Sequence, residues 1–211
     1  MRTRTRMAAV VTGGLVVLGA LAVPAFAGGP PTGMGPGGPG TPGTAGPGRG
    51  MGDGTCAGVQ GVAPMGTLTD VQRTALAANA EEEKLAHDLY VALGDRYDLP
   101  VFDRIATAET AHLRAVRTLM TRYGVSDPTA GQETGRFATP AVQKTYDDLL
   151  AKGLGGEQAA LEVGKTVETT DIDGLRKALT GLTAPDVQRV YGHLVNASQH
   201  HLAAFDTWLT R

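Results

Sequence analysis

Apolar residues recur in steps of three and four along four long stretches of the chain, a spacing that predicts four amphipathic helices. In the first, Leu76, Asn79, Glu83, Ala86, Tyr90, Leu93 and Tyr97 fall on one seam. In the second the seam is Phe102, Ile105, Glu109, His112, Val116, Leu119 and Tyr123, and in the last it is Val187, Val190, Leu194, Ser198, His201, Phe205 and Trp208. End signals bound these patterns. Thr69 and Gln72 make a capping box that opens helix A, over roughly 69–96, before Asp98-Leu-Pro100 interrupts it. Pro100 opens helix B, which stops at Gly124 with Pro128 beyond it, giving 100–123. Thr139-Pro140 begins a short helix that ends near Gly153. Helix C covers about 156–179 and reads as one kinked helix or two, because Thr169 and Thr170 precede a candidate cap at Asp171. Helix D starts at Thr183-Ala-Pro-Asp186 and fills the rest of the chain.

No strand pattern interrupts this series, so the fold class is all-α. The A–B and C–D connections are short, whereas about thirty residues with a small helix among them join B to C. One long crossover is the connectivity of ferritin-like four-helix bundles, and an up-down-up-down bundle would want three short loops.

Polar residues inside an apolar seam need an explanation. Glu109 and His112 stand in the middle of the helix B seam, where burial of a carboxylate and an imidazole is costly unless something compensates both. A metal ion does so, and the pair reads as half of a metal site. In helix A, Glu83 lies on one seam, but Ala78, Glu82, Leu85, Leu89 and Ala92 form a second that is almost as good. Periodicity does not choose between Glu82 and Glu83; Glu83 is favoured because Tyr90 follows it by two turns on the same face. The seam acids and imidazoles Glu83, Glu109, His112, Glu168 and His201, with Ser198, all fall within about four residues of a helix centre, or roughly 6 Å along the axis at 1.5 Å per residue. Four helices thus bring their polar seam residues to one level.

The N-terminal residues change the picture of location. Arg2, Arg4 and Arg6, an apolar run from Met7 to Val23 and Ala25-Phe-Ala27 before Gly28 predict a secretory signal peptide over 1–27, hence a secreted, cell-surface or periplasmic protein with no membrane span in the mature chain. Residues 28–66 are dominated by Gly and Pro and read as a flexible linker, leaving 67–211 as one folded domain. Cys56 is the single cysteine, so no intrachain disulfide staples the fold. Loss of the three leader arginines moves the formal charge from −2 to −5, and no basic stripe remains for nucleic acid. No phosphate loop, dinucleotide fingerprint or hydrolase nucleophile motif occurs.

From about 70 to 207 the chain resembles the ferritin-like superfamily, and within it an uncharacterised bacterial family of small ferritin-like domains. The resemblance runs through Glu81-Glu-Glu-Lys-Leu-Ala, Glu109-Thr-Ala-His112, Val163-Gly to Asp171-Ile, and Ser198-Gln-His-His201-Leu-Ala-Ala-Phe205. It implies a di-iron centre fed by one Glu from each of two helices and a Glu-x-x-His pair from each of the other two. The Glu83 to Tyr90 spacing is similar to the first-helix ligand and core tyrosine of bacterioferritins and rubrerythrins, and Glu168-Thr-Thr-Asp171 resembles the two acids of the rubrerythrin third helix. Ser198 departs from the pattern, standing where the second Glu-x-x-His expects its Glu. Five candidate ligands remain, Glu83, Glu109, His112, Glu168 and His201, enough for one metal and few for two, with Glu82 as the alternative on helix A and Asp171 or water to complete a second position. Iron is the expected ion, one or two per chain, and manganese or zinc also suit the donors.

Each of these residues has a plainer reading. The Glu81-Glu82-Glu83 run reads also as a solvated face, Glu109 with His112 as a buried pair fixing helix register, and His201 as a satisfied core histidine. Asp171 reads as a helix cap, and Glu162, His87, His193 and His200 as solvent-facing. Tyr90 is either plain core or a group that bonds a metal ligand or supplies an electron. The competing functions are an iron-dependent oxidoreductase, a sequestering protein without turnover, and a non-catalytic bundle tethered by its linker. A homo-oligomer is compatible with all three.

Overall fold

The computed structural model describes residues 63–211, so the leader and most of the Gly/Pro-rich segment lie outside the described residues. Five helices and no strands make up the described part: α1 (Asp70–Tyr97), α2 (Pro100–Tyr123), α3 (Pro140–Gly153), α4 (Glu157–Leu179) and α5 (Pro185–Leu209). The punctuation of the sequence sets their ends. Thr69 Oγ1 accepts from Gln72 N while Gln72 Oε1 accepts from Thr69 N at 2.9 Å, closing the capping box. Pro occupies the first turn of α2, α3 and α5, and Gly124 ends α2 with φ 61°, a left-handed conformation that suits glycine. Asp98 takes the same conformation (φ 53°) to reverse the chain between α1 and α2.

Cross-links give the direction of each helix. Arg73 Nη1 donates to Tyr123 O at 2.5 Å, so the start of α1 lies beside the end of α2. At the opposite end Tyr97 Oη donates to Gly153 O at 3.0 Å, which places the end of α3, four residues before α4 begins, beside the end of α1. The connection over 124–156 therefore runs the length of the bundle, carrying α3 along α1 and α4. Further hydrogen bonds fasten it to α1: Lys84 Nζ to Glu133 O at 2.8 Å, Gly135 N to Asp88 Oδ2 at 2.8 Å, and Thr139, whose N and Oγ1 both reach the Glu81 carboxylate at 2.9 and 2.6 Å. Tyr123 Oη donates to Asp186 Oδ1 at 2.6 Å and seats the start of α5 at the end of α2. Around the bundle the order is α1, α2, α5, α4, two antiparallel hairpins joined by one long crossover. The packed body begins before α1, since Ala63 is buried and Gly66 N donates to Tyr123 Oη at 3.0 Å.

The irregularity expected in helix C is absent, because α4 is continuous from Glu157 to Leu179. Thr169 and Thr170 turn their hydroxyls back onto the carbonyls of Lys165 and Thr166, at 2.8 and 2.9 Å, and so stay within the helix instead of breaking it. Asp171 accordingly caps nothing.

The core is split in two. Leu89, Tyr90, Leu93, Phe102, Val163 and Phe205 belong to one apolar cluster, and Leu76, Val116, Leu119, Leu175, Val190 and Leu194 to another, with the polar seam residues between them. In the first cluster the rings of Tyr90, Phe102 and Phe205 meet at centroid distances of 5.4–5.9 Å. Gly164 makes room for this trio: a Cβ there would lie 2.5 Å from Phe205 Cε1 and Cζ, in a ring that is fully buried. Gly164→Ala gains helix propensity of about 1 kcal/mol but must displace that ring, at about 1–3 kcal/mol. The expected net result is a lower urea midpoint with an unchanged m-value; an unchanged or raised midpoint would show that the ring yields freely.

Candidate metal centre

Between the two apolar clusters, four helices each send polar side chains inward. Glu83 (α1), Glu109 and His112 (α2), Glu168 (α4), and Ser198 and His201 (α5) are all buried, with His112 fully so. The common level expected from the helix limits is therefore a real layer in the bundle.

Its hub is Glu109. Oε2 lies 2.7 Å from His112 Nδ1 and Oε1 lies 2.9 Å from His201 Nδ1, so one carboxylate faces two imidazoles. Glu83 Oε2 is 3.4 Å from His112 Nδ1, and Glu168 Oε2 is 3.5 Å from His201 Nδ1. The imidazole rings stand 5.5 Å apart at 23°. Two groups result, Glu83–Glu109–His112 and Glu109–Glu168–His201, each with ligand atoms within 4.8 Å of one another. They share Glu109.

Several of these atoms converge without satisfying one another. Glu83 Oε1, His112 Nε2 and His201 Nδ1 are buried with no hydrogen-bond partner. For His201 the 2.9 Å approach to Glu109 lacks hydrogen-bond alignment, the geometry of two donor atoms aimed at a common point instead of at each other. An electron-pair acceptor placed among the carboxylate oxygens and the two Nδ1 atoms would relieve Glu83 Oε1 and His201 Nδ1, so the donor set fits a metal ion, while His112 Nε2 lies across its ring from the Nδ1 that faces Glu109 and Glu83.

The charges follow from this crowding. Burial raises the Glu83 carboxyl to about 8, against the lowering effect of His112. Burial acts the same way on Glu109, but the imidazoles of His112 and His201 outweigh it and hold that group at about 2. Burial disfavours charge on the imidazoles too, yet Glu109 and Glu83 lift His112 to about 11, and Glu109 and Glu168 lift His201 to about 9. Glu168 is raised, chiefly by burial and then by Glu109. Without a metal the layer is thus a protonated network of imidazolium groups around a Glu109 anion.

Tyr90 Oη donates to Glu168 Oε1 at 2.7 Å, so the tyrosine grips a carboxylate of the second triad from the aromatic side of the core. Ser198 Oγ donates to Asp171 Oδ2 at 2.7 Å. Asp171, one turn beyond Glu168, therefore brings a carboxylate beside the position where α5 has no Glu. Glu82 joins neither triad; it is half-buried, held up to about 8 by burial and then by Asp171, and sits beside the layer on its α4 side. Glu81 is buried, not solvated, because it caps α3 through Thr139. Glu162, His193 and His200 are exposed, and His87 is partly so, with Nδ1 2.9 Å from Asp88 Oδ1. Tyr191 was not legible as part of the layer; it is buried, and burial with nearby Glu82 and Glu83 raises its hydroxyl. Its place three residues before Leu194 and seven before Ser198 was the available signal.

The chain is 34% identical over 142 residues to Uncharacterized protein MJ0754 of Methanocaldococcus jannaschii, a match spanning 67% of this chain and 77% of the relative. The crystal structure of hypothetical protein MJ0754 from Methanococcus jannaschii DSM 2661 superposes with a TM-score of 0.68 at 34% identity, over 70% of this chain and 85% of that one. No helix of the described residues is long and apolar enough to cross a membrane. Residues 73–210, which include every member of both triads, match the uncharacterized protein domain DUF2202, and the chain belongs to that family.

Proposed function

We propose that this protein is an exported ferritin-like metalloprotein whose bundle holds two ions, iron foremost, and that it oxidises ferrous iron or reduces oxygen or peroxide. The observation that carries this reading is the pair of triads on one shared carboxylate. A structural pair needs one imidazole for one Glu; a second imidazole on the other oxygen, with its own flanking Glu, matches what two adjacent cations require. Three carboxylates and two imidazoles nearly balance two divalent ions, which also accounts for burying so many charges where leucine would pack.

In this reading Glu83 and His112 would hold one ion and Glu168 and His201 the other, and Glu109, a member of both groups, would contribute to each. Bound iron would supply one-electron chemistry and an open position for a small oxidant. Tyr90 fixes the rotamer of Glu168 and is placed to donate a proton at Glu168 Oε1. The serine at 198 is too weak a ligand to close the centre, and it occupies itself with Asp171. On the expectation of a secretory leader over 1–27, this chemistry would take place outside the cytoplasm.

A non-catalytic bundle is favoured by one observation: Glu109 and His112 form a hydrogen bond of 2.7 Å, the contact of a buried pair that fixes helix register. His112→Leu separates the readings. On the register view the variant keeps or raises its melting temperature and nothing else changes; on the metal view it loses stoichiometric binding. The direct test is elemental analysis of protein purified without chelator, followed by anaerobic ferrous titration. About two tightly held irons per chain, and an optical change on admitting air, are expected. Binding with no oxygen consumption would leave sequestration, and no binding by a cooperatively folded helical protein would sink the metal reading.

A further inference from the structure

A cleft of about 380 Å³ opens between α1, α2 and the first part of the crossover, and neither triad lends it a residue. Its charged lining is Lys84, His87, Arg114 and Arg117 against one acid, Asp88. A lone arginine on a helix is ordinarily a solvated surface group. Here Arg114 shares a cavity with a buried lysine and a second arginine, so the bonding of each group decides whether the cleft has anything left to offer a ligand.

The acceptors are used up. Asp88 Oδ2 takes Lys84 Nζ and, at 2.8 Å, Gly135 N, while Oδ1 faces His87 Nδ1 at 2.9 Å. Arg117 is held from outside the cleft by Asp127, Nε to Oδ2 at 2.9 Å, and by the Thr129 hydroxyl at 2.7 Å from Nη2. Donors remain in surplus. The Arg114 guanidinium has no hydrogen-bond or ion-pair partner among the described residues, and neither do the side chains of Gln132 and Thr134 on the crossover wall. Lys84 is only 6% exposed and gives a second bond to Glu133 O at 2.8 Å, which fixes a cation in the α1 wall.

We propose that this cleft binds a small organic phosphate, its head group on Arg114 with Arg117, Gln132 and Thr134 around it and its apolar part against Leu113. Guanidinium groups recognise phosphate oxygens in pairs, and Arg117 is already oriented by Asp127 and Thr129. Donors on α2 and on the crossover face the cavity from different sides, which suits a tetrahedral group better than a planar carboxylate. The volume falls within the roughly 300–1,000 Å³ of small-molecule sites and exceeds what a bare phosphate fills, so Leu113 has a part to play. The site stands apart from the metal reading and holds whether or not the centre binds an ion.

The test is isothermal titration calorimetry of the full mature chain with inorganic phosphate and with phenyl phosphate, in chelator so that no metal in the bundle captures the ligand. One saturable site per chain is expected, with phenyl phosphate the tighter of the two. Arg114→Ala should weaken both by about tenfold or more, and Thr134→Val by about threefold. Both side chains are exposed and unpartnered among the described residues, so unchanged melting temperatures are expected to verify the fold. Absence of saturable binding, or equal affinity in Arg114→Ala, would overturn the site. Affinity that falls with Arg114 and is untouched at Thr134 would reduce it to a surface charge and overturn the cleft, and phenyl phosphate no tighter than phosphate would overturn the organic ligand.

Discussion

Glu109→Gln is expected to empty both ion positions at once, and no other single substitution in the layer should do so. Glu109 alone has an oxygen on each imidazole, 2.7 Å from His112 and 2.9 Å from His201, and it alone belongs to both triads. The amide keeps the shape but replaces one acceptor by a donor, which then faces an ion or an imidazole N–H. Tightly bound metal should fall from about two per chain to none, whereas Glu83→Gln or Glu168→Gln should weaken one position and spare the other. Apo stability makes the same distinction by a different route. Glu109 is the carboxylate held ionised between two imidazolium groups, so its loss leaves buried cations without their anion, at about 3–5 kcal/mol. Burial keeps the Glu83 carboxyl protonated up to about 8, and the Gln substitute resembles that neutral form. Glu83→Gln should shift apo unfolding by under about 1 kcal/mol, within the range of ordinary substitutions. Urea unfolding with chelator, beside metal analysis, reads both quantities; comparable apo losses for the two variants would contradict the charge assignment.

The helices, their ends and the polar level were legible because each is written in local chemistry. Capping boxes, prolines at first turns and the glycine at 124 act within a few residues, and a seam of steps three and four identifies a buried face wherever it occurs. The choice between Glu82 and Glu83 was not local. The two seams of α1 are almost equally apolar, and only the position of α2, fixed by packing along the whole hairpin, turns Glu83 toward His112 and Glu82 toward α4. Asp171 misled for a related reason. Two threonines before an aspartate look like a break and a cap, but threonine hydroxyls can bond back to their own helix, and what keeps them there is the packing of α4 on α5 through Ser198. Glu81 likewise became buried through the crossover, which a helical periodicity cannot foresee because Thr139 is 58 residues away.

Between about pH 5 and pH 9 the apo protein should lose stability while the stabilisation conferred by metal grows. His112, near 11, and His201, near 9, are raised above the ordinary value of about 6.5; their contribution is complete below that value and is lost as pH rises through the folded-state values. Glu83, raised to about 8, acts in the same sense, since from about pH 4.5 upward the unfolded chain sheds a proton that the folded one retains. Glu109, held at about 2, opposes them only in acid: its contribution is present above about 4.5 and is lost as pH falls through 2. Apo stability should therefore be greatest near pH 4.5, decline above it through Glu83, and decline more steeply above about 6.5 as the two imidazoles join in. A bound ion reverses the slope, because it takes the same ligands in their deprotonated forms and must expel the protons that the apo layer holds. Binding at pH 7 should release protons from Glu83, His112 and His201, and affinity should rise by up to about tenfold per pH unit for each proton expelled. Thermal unfolding across this range, with chelator and with metal, gives two curves that diverge as pH rises, and a weakly buffered titration counts the protons directly. Parallel curves with no proton release would mean that the imidazoles serve the helices and not an ion.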